Sequence, residues 1–228
     1  MLSLRSLDLK KPIKVIARSS NLSRAQVKEV YEEISAHFLD IVFEEKWIET
    51  LGDRQLHISL KQMEKTDFFT REIDQLLLDK EGDLAVHSAK DLPDPLPKGL
   101  ELFALTRGVD PSDVLVLRDG ETLEGLPEAA RIGTSSVRRE KAVSLLRMGL
   151  CFVDIRGTIE SRLYQLDTAK IDGVIMAEAA LIRLNLTTRN RIQLRSSPAP
   201  LQGQLAIVGR EGDEKLRAIF SCIDTRLR

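Results

Sequence analysis

The chain has 228 residues, of which 43% are hydrophobic and 30% are charged, an ordinary balance for a globular protein. Lys and Arg number 34 against 35 Asp and Glu, so the net charge of -1 argues against bulk-charge binding of nucleic acid. No apolar run approaches the roughly 18 residues of a membrane-spanning helix, and we expect no signal peptide. Cys151, Cys222 and three dispersed histidines give no zinc-ligand spacing. We therefore expect reduced thiols in a cytoplasmic protein without a metal.

The first half alternates short apolar runs with helical periodicity. The predicted strands are residues 13–17, 41–44, 84–86 and 100–105. The first predicted helix has an apolar face of Val27, Val30, Ile34 and Phe38, and the second has one of Phe69, Ile73, Leu76 and Leu77.

The second half repeats this alternation. The predicted strands are residues 113–117, 131–133, 151–155, 173–176 and 205–208. The predicted helices carry Ala142, Leu145, Leu146 and Leu150, then Ile159, Leu163 and Leu166, and finally residues 214–223. Cys151 falls in a predicted strand, where we expect it to be a buried small hydrophobe. The alternation predicts a two-lobed α/β fold with mainly parallel sheets and a cleft between the lobes. We expect a first lobe of residues 13–106 plus 202–221 and a second lobe of 110–198.

Polar residues gather at three predicted strand-to-helix junctions. A helix N-terminus offers unpaired backbone N–H groups, and arginine adds a planar fork that matches a carboxylate. Ordinary helix capping with surface arginines would explain any one junction, whereas all three together favour a site for a polycarboxylate or a phosphate. The junctions are residues 18–21, residues 133–139, and residues 154–157 with Arg162.

The segment at residues 83–93 is the most informative. A predicted apolar strand runs directly into His87, Ser88, Lys90 and Asp91, and then stops at Pro93. This much polarity at the carboxyl end of a strand is typical of an active site. The alternatives are a buried structural role for His87, a surface ion pair for Lys90 and a turn role for Asp91.

These motifs resemble those of the porphobilinogen deaminase family, in order and spacing, from about Lys14 to the C-terminus. The loop is similar to the pattern A-V-H-S-x-K-D-x-P, and residues 133–139 are similar to G-T-S-S-x-R-R. The other similar segments are Phe69-Thr70-Arg71-Glu72-Ile73 (F-T-K-E-L), Asp154-Ile155-Arg156-Gly157 with Arg162 (L-R-G-N-x-x-T-R), and Gln202-Gly203 (G-Q-G, with Leu201 in place of the first Gly).

The resemblance implies a transferase of tetrapyrrole (heme) biosynthesis. Such an enzyme joins four porphobilinogen molecules head to tail into hydroxymethylbilane, releases ammonia at each step, and uses a dipyrromethane cofactor. It implies a periplasmic-binding-protein-like fold and a monomer with no nucleic-acid or membrane partner. Asp91 matches the catalytic aspartate, whose carboxylate stabilises the cation left when ammonia departs. The implied substrate- and cofactor-binding residues are Arg18, Ser20, Phe69, Lys90, Thr134, Ser135, Ser136, Arg138, Arg139, Arg156, Gly157, Arg162 and Arg183.

The sequence departs from the family pattern at several points. Thr158 stands where the family has Asn, Ser161 stands where it has Thr, and the lysine preceding F-T-K-E-L is shifted to Lys65. Family members continue into a third domain whose G-G-C motif holds the cofactor. No G-G-C occurs here, so residues 222–228 are interpreted as the start of that domain and Cys222 as a candidate attachment point.

Three explanations for the missing motif stay open: a truncated chain, a short member that uses Cys222 or a non-covalent cofactor, and a loss of turnover. The alternative function is a non-catalytic protein of the same fold that binds tetrapyrrole precursors or small anions.

Overall fold

The structure is a computed structural model that describes residues 11–56, 58–59 and 67–227. The chain divides into two compact units. The first unit comprises the described residues of Met1–Arg54, Lys65–Gly108 and Gln204–Arg228, and the second comprises those of Gln55–Glu64 and Val109–Gly203. Gln202 and Gly203 therefore belong to the second unit, whereas the predicted first lobe included them.

Strands and helices alternate along the described chain. The strands are β1 (Ile13–Arg18), β2 (Phe43–Ile48), β3 (Leu84–Ser88), β4 (Leu100–Leu105), β5 (Asp113–Val116), β6 (Arg131–Gly133), β7 (Cys151–Val153), β8 (Gly173–Ala177), β9 (Arg191–Gln193) and β10 (Leu205–Arg210). The α-helices are α1 (Asn21–Ser35), α2 (Leu51–Arg54), α3 (Arg71–Leu78), α4 (Val137–Ser144), α5 (Ile159–Asp167), α6 (Glu178–Arg183) and α7 (Glu214–Phe220). Short 3₁₀ turns occupy Ala89–Asp91, Ser221–Ile223 and Thr225–Leu227.

Each unit contains one five-stranded sheet. The strand order is β2-β1-β3-β10-β4 in the first unit and β7-β6-β8-β5-β9 in the second. The α/β class and the mainly parallel sheets are confirmed, because four strands of each sheet run in one direction and a single strand is reversed, β10 in the first sheet and β5 in the second. In the first sheet β1 is parallel to β2 and β3, while β10 is antiparallel to β3 and β4. In the second sheet β6 is parallel to β7 and β8, while β5 is antiparallel to β8 and β9.

The antiparallel strands are those by which the chain passes from one unit to the other. A parallel pair needs a crossover connection, usually a helix. Strand β5 follows β4, and β10 follows β9, without an intervening α-helix. Because no crossover helix precedes β5 or β10, each of these strands can enter its sheet antiparallel to its neighbours.

Helices cover both faces of the first sheet. On one face α1 buries Val27, Val30 and Ile34, as the spacing predicts, together with residues of α7. On the other face α3 buries Ile73 and Leu77. Because both faces are covered, β3 is buried from Leu84 to His87, and only Ser88 at its carboxyl end is partly exposed.

The second unit differs from the prediction around α4. The side chains of Leu145 and Leu146 are 88% and 46% exposed, so the predicted apolar face is wrong. Helix α4 ends at Ser144, and it buries Ala142, as predicted, together with Val143 rather than the two leucines. Cys151 is exposed rather than buried, because it begins β7, an edge strand of the sheet.

The last residues of the described chain pack on the first unit. Helix α7 ends at Phe220, three residues earlier than predicted, and a 3₁₀ turn follows. Ile223 is buried in the same core cluster as α1. Asp224 accepts a hydrogen bond from the backbone N–H of Leu105 in β4 at 3.0 Å. Among the residues described, no helix is long and apolar enough to cross a membrane.

Candidate active site

Arg18 is the last residue of β1, and its guanidinium group is paired with the Asp53 carboxylate. The Arg18 Nε donates to Asp53 Oδ2 at 3.2 Å, and Nη2 forms a second, ionic contact with Oδ1. Asp53 also accepts hydrogen bonds from the backbone N–H and the hydroxyl of Thr50, at 3.1 and 2.8 Å. Burial alone would raise the pKa of Asp53, but the hydrogen bond and charge of Arg18 outweigh it and hold that pKa below 3.8. Arg18 is thus fixed in a charged, partly buried pair.

Phe69 forms a platform beneath this pair. The Arg18 guanidinium lies 4.6 Å from the centroid of the Phe69 ring, a cation–π geometry. The ring approaches α2 closely because residue 52 is glycine: a Cβ there would lie 2.4 Å from the ring carbons. The platform therefore depends on the absence of a side chain at Gly52. Ser20, the N-cap of α1, accepts the N–H of Ser23 at 3.2 Å, so its hydroxyl has a capping role.

Asp91 lies just beyond the carboxyl end of β3. The 3₁₀ turn Ala89–Asp91 is held by the Ala89 N–H, which donates to the Gln204 carbonyl at 3.0 Å. Ser88 is fixed by Gln26, whose Nε2 donates to its hydroxyl at 2.8 Å. Lys90 and Asp91 are both half-buried, and within the described residues no hydrogen bond or ion pair occupies the Asp91 carboxylate. A hydrogen-bonded strand end thus presents a carboxylate that has no partner among the residues described.

Two titratable groups are buried behind this turn. His87 Nε2 lies 3.8 Å from Asp74 Oδ1, and both side chains are 4% exposed. Within the described part of the chain, neither this nitrogen nor either Asp74 oxygen has a hydrogen-bond partner. Burial raises the pKa of Asp74 to about 6, and burial together with the Arg18 charge lowers the pKa of His87 to about 4. His87 is buried, as its structural alternative predicts, but its Nε2 lacks a hydrogen bond among the residues described.

In the second unit, Arg138 and Arg139 share one buried carboxylate, that of Asp113. Arg139 donates to Asp113 Oδ1 from Nε at 2.9 Å and from Nη2 at 2.7 Å. Arg138 Nη2 lies 2.6 Å from Asp113 Oδ2. Burial would raise the pKa of Asp113, but the two arginines and Gln202 hold it below 3.8. The two arginines are therefore fixed by a residue on β5 that the sequence motifs did not indicate.

The three hydroxyl residues before α4 have separate roles. Thr134 is buried, and its hydroxyl accepts the N–H of Ser136 at 3.2 Å. Ser136 is the N-cap, accepting the Arg139 N–H at 3.5 Å. The Ser135 hydroxyl contacts the Asp154 carboxylate and accepts the Ile155 N–H at 3.2 Å. The Ser135 hydroxyl thereby links the ends of β6 and β7, which are parallel neighbours.

Arg156, Gly157 and Arg162 lie at the end of β7 and the start of α5. The Arg156 guanidinium donates to the Ile58 carbonyl, and Arg162 Nε donates to the Gly157 carbonyl at 2.9 Å. Gly157 has a φ of +98°, and a Cβ there would lie 2.4 Å from Ser161 Oγ. Glycine is thus required at this turn.

Arg183 and the turn at residues 201–203 are linked. Arg183 Nη2 donates to the Gly203 carbonyl at 2.8 Å. Gly203 has a φ of +90°, and a Cβ there would lie 2.5 Å from the Val109 carbonyl oxygen. Leu201 adopts a φ of +59°, a conformation that favours glycine. The first position of the turn therefore keeps the backbone that a glycine would prefer, although a leucine occupies it.

The two thiols differ in environment. Cys151 is exposed, whereas Cys222 is half-buried, packs against the first core cluster, and directs Sγ to the Ile219 carbonyl at 3.3 Å. Lys65, whose role the sequence left open, lies outside the described residues.

The predicted residues thus fall in two sets, one in each unit. In the first unit Arg18 contacts Phe69, and Asp91 follows β3, the strand beside the one that ends in Arg18. In the second unit Arg138 and Arg139 share the Asp113 carboxylate. The sequence motifs missed the carboxylates that hold the arginines, Asp53 and Asp113.

The fold and these sets define an α/β protein of the periplasmic-binding-protein type with arginine-rich strand ends. Solved structures show the same fold: a periplasmic substrate-binding protein of an ABC transporter from Coxiella burnetii has a TM-score of 0.56 at 13% identity, covering 92% of this chain and 91% of its own. A periplasmic binding protein of an arginine transport system from Legionella pneumophila gives 0.52 at 14% identity, covering 93% of this chain and 91% of its own.

The chain belongs to the porphobilinogen deaminase family. Residues 13–218 match the family model described as porphobilinogen deaminase, dipyromethane cofactor binding domain. The porphobilinogen deaminase of Desulforudis audaxviator is 38% identical over 219 residues, which cover 95% of this chain and 71% of that protein. The corresponding protein of Bacillus subtilis is 39% identical over 92% of this chain and 68% of its own length. A probable porphobilinogen deaminase of Chlamydia pneumoniae is 38% identical, covering 94% of this chain and 91% of its own length. The family consists of transferases of tetrapyrrole biosynthesis.

Proposed function

We propose that the chain catalyses the stepwise head-to-tail condensation of four porphobilinogen molecules into hydroxymethylbilane, with release of ammonia. The observation that carries the proposal is the position of Asp91, which matches the family's catalytic aspartate and lies at the end of the buried strand β3. Its carboxylate is half-buried and unpaired in the part of the chain that is described.

A carboxylate in this position suits the proposed reaction. Loss of ammonia from the aminomethyl group of porphobilinogen leaves a cation delocalised over the pyrrole ring. The pyrrole N–H of this cation is a donor that a carboxylate can accept. Asp91 can stabilise that cation electrostatically and accept a proton from the carbon at which the new bond forms. Because Ala89 and Ser88 are hydrogen-bonded to Gln204 and Gln26, the turn that carries Asp91 is held in place before substrate binds.

The predicted binding residues suit the acid side chains of the substrate. Each porphobilinogen carries an acetate and a propionate, and arginine binds carboxylates through paired N–H donors. In the first unit we assign this role to Arg18 and Lys90, with Phe69 and Ser20 nearby. In the second unit we assign it to Thr134, Ser135, Ser136, Arg138, Arg139, Arg156, Gly157, Arg162 and Arg183.

The same donors suit a dipyrromethane cofactor. Guanidinium groups, hydroxyls and an aromatic face match two linked pyrroles that bear four carboxylates, and the cofactor supplies the pyrrole carbon to which the first substrate is joined. For attachment we propose Cys222 ahead of Cys151. Cys222 lies in the first unit, as Asp91 does, whereas Cys151 lies on an edge strand of the second. Cys222 is half-buried, so covalent attachment there requires the Ser221–Ile223 turn to expose its Sγ.

The test combines intact mass with turnover. Purified protein is expected to weigh more than its sequence by two pyrrole units and to release hydroxymethylbilane from porphobilinogen. Cys222→Ser is expected to abolish the added mass. Protein that shows neither added mass nor turnover, yet binds porphobilinogen, would instead support the non-catalytic binding protein.

The catalytic assignment has its own test. Asp91→Asn is expected to lower kcat by at least about a hundredfold, the usual contribution of a positioned acid–base group, without changing the melting temperature. The exposed Asp94, three residues further on, gives the matched control: Asp94→Asn should keep the wild-type kcat. An Asp91→Asn variant with full activity would remove the assignment.

We further propose that the protein works in the cytoplasm as a monomer and has no nucleic-acid or membrane partner. The near-neutral net charge of -1 supports the absence of a nucleic-acid partner. A single species of about 26 kDa in light scattering would agree with the 25.6 kDa chain, and a larger species would refute the monomer.

A further inference from the structure

The Asp113 carboxylate lies at the centre of the arginine pair in the second unit. Its side chain is completely buried, with 0% exposure, and the two arginines contact different oxygens of it. We propose that Asp113 is a positioning residue that fixes the orientation of Arg138 and Arg139 and sets their combined charge to +1 in advance of ligand binding. This inference rests on the proposed function, because it assigns the two arginines to the carboxylates of porphobilinogen and its products.

The two arginines are held to different degrees. Arg139 is 13% exposed, and it uses both Nε and Nη2 on Asp113, in a fork that fixes the plane of the guanidinium. Arg138 is 33% exposed; its Nη2 makes an ionic contact with Asp113, and its Nη1 donates to the Ser197 carbonyl at 2.8 Å. A guanidinium has five N–H donors, so each arginine retains donors beyond those that Asp113 receives.

Gln202 is a further residue that holds Asp113. The Gln202 side chain is 3% exposed, and its Nε2 donates to Asp113 Oδ1 at 2.9 Å and to the Pro111 carbonyl at 2.6 Å. The Gln202 Oε1 accepts from Arg139 Nη2 at 3.5 Å. The carboxylate is therefore anchored to the backbone before β5, and the arginines are oriented against a fixed point.

A fixed carboxylate has two consequences for ligand binding. It removes the rotamer freedom that long arginine side chains would otherwise lose when a ligand carboxylate arrives. It also leaves one net positive charge on three groups, which suits a ligand that presents one carboxylate to the pair. Both consequences act on ligand binding rather than on the bond-forming step, so they affect KM and leave kcat nearly unchanged.

The test is the variant Asp113→Asn, which keeps the shape and removes the charge. We expect KM for porphobilinogen to rise about tenfold. Arginines that Asp113 no longer orients should lose about one charge-assisted contact with the ligand carboxylate, which corresponds to that change. We expect kcat per cofactor-loaded molecule to stay within about threefold of the wild type, because the contact is equally strong in ground and transition states. Wild-type KM together with wild-type loading would overturn the inference.

Asp172→Asn is the matched control for a purely structural loss. Asp172 lies in the same unit, is mostly buried, and pairs with Arg118 and Arg131, neither of which is assigned to the ligand. It is expected to lower the melting temperature while keeping the wild-type KM. If Asp113→Asn fails to fold, Gln202→Met removes the hydrogen bonds of Gln202 but keeps the Asp113 carboxylate, and it should raise KM about threefold. An unchanged KM in that variant would also overturn the inference.

Direct titration with porphobilinogen separates this inference from the proposed function. Wild-type protein that binds porphobilinogen without turnover, and binds it about tenfold more weakly after Asp113→Asn, would support the inference and refute the catalytic function. Wild-type turnover with an unchanged KM in the variant would support the catalytic function and refute the inference. Wild-type protein that neither binds nor turns over porphobilinogen would refute both.

Discussion

Replacing Asp74 by Asn should reveal an acid-sensitive histidine behind the turn that carries Asp91. Asp74 has its pKa raised from 3.8 to about 6 by burial, so its contribution to stability is greatest below pH 3.8 and is lost as pH rises through 6. His87 has its pKa lowered from 6.5 to about 4, so its contribution is present above pH 6.5 and is lost as pH falls through 4. In the wild type, the two groups oppose each other over the same pH window.

The magnitude follows from these two shifts. A shift of about two pKa units corresponds to on the order of 3 kcal/mol for each group across its full window. In Asp74→Asn only the histidine remains, so the variant should be more stable than the wild type at pH 7 and lose that advantage as the pH falls to about 4. In His87→Gln only the carboxyl group remains, so the difference from the wild type should change in the opposite direction.

Urea denaturation at pH 7, 5.5 and 4.5 measures these differences. The free energy of unfolding of each variant is compared with that of the wild type at the same pH, because other carboxylates titrate equally in both proteins. Curves for Asp74→Asn and wild type that run parallel from pH 7 to 4.5 would refute the reasoning, since they would show that Asp74 binds no extra proton in the folded state.

Three further changes test the backbone of the candidate site. Leu201→Gly should raise the free energy of unfolding by about 1 kcal/mol, because it relieves a φ of +59° at a side chain that is already 41% exposed; a lower melting temperature would contradict this. Gly203→Ala should lower the free energy of unfolding by about 2 kcal/mol, because the added Cβ meets the Val109 carbonyl. A wild-type melting curve would show that the turn does not require glycine at this position. Gly52→Ala should displace the Phe69 ring and raise KM for porphobilinogen severalfold; an unchanged KM would show that the ring is not part of the binding surface.

The fold could be predicted where local patterns decide it. Strand β4 and strand β6 have the predicted bounds, because a short apolar run flanked by polar or turn residues leaves little freedom. The direction of β5 and β10 could not be predicted, because it depends on where the chain re-enters each sheet rather than on any residue in the strand. The end of α4 was missed for a related reason: Leu145 and Leu146 continue the apolar spacing, although the helix has already ended at Ser144.

The candidate site could be predicted on its cationic side. Arginines that follow strands in motif order are visible in one sequence, whereas their carboxylate partners are not. Asp53 is 35 residues from Arg18 and lies in a four-residue helix with no apolar periodicity. Asp113 is 26 residues from Arg139 and resembles an ordinary first residue of a strand. The available signal for Asp113 is its charge at the start of β5, a strand whose residues are all buried.

These hidden carboxylates change what the arginine motifs mean electrostatically. A count of cations would give each set a strongly positive potential, yet Arg18 with Asp53 is neutral as a pair, and Arg138 and Arg139 with Asp113 carry one net charge. A substrate carboxylate in the first unit must therefore share a guanidinium that is already engaged, and its binding energy is reduced by the competing ion pair. In the second unit it meets a residual positive charge held in a fixed orientation. Because pairing of this kind balances the cations locally, a chain with arginine-rich strand ends can still have a net charge of -1.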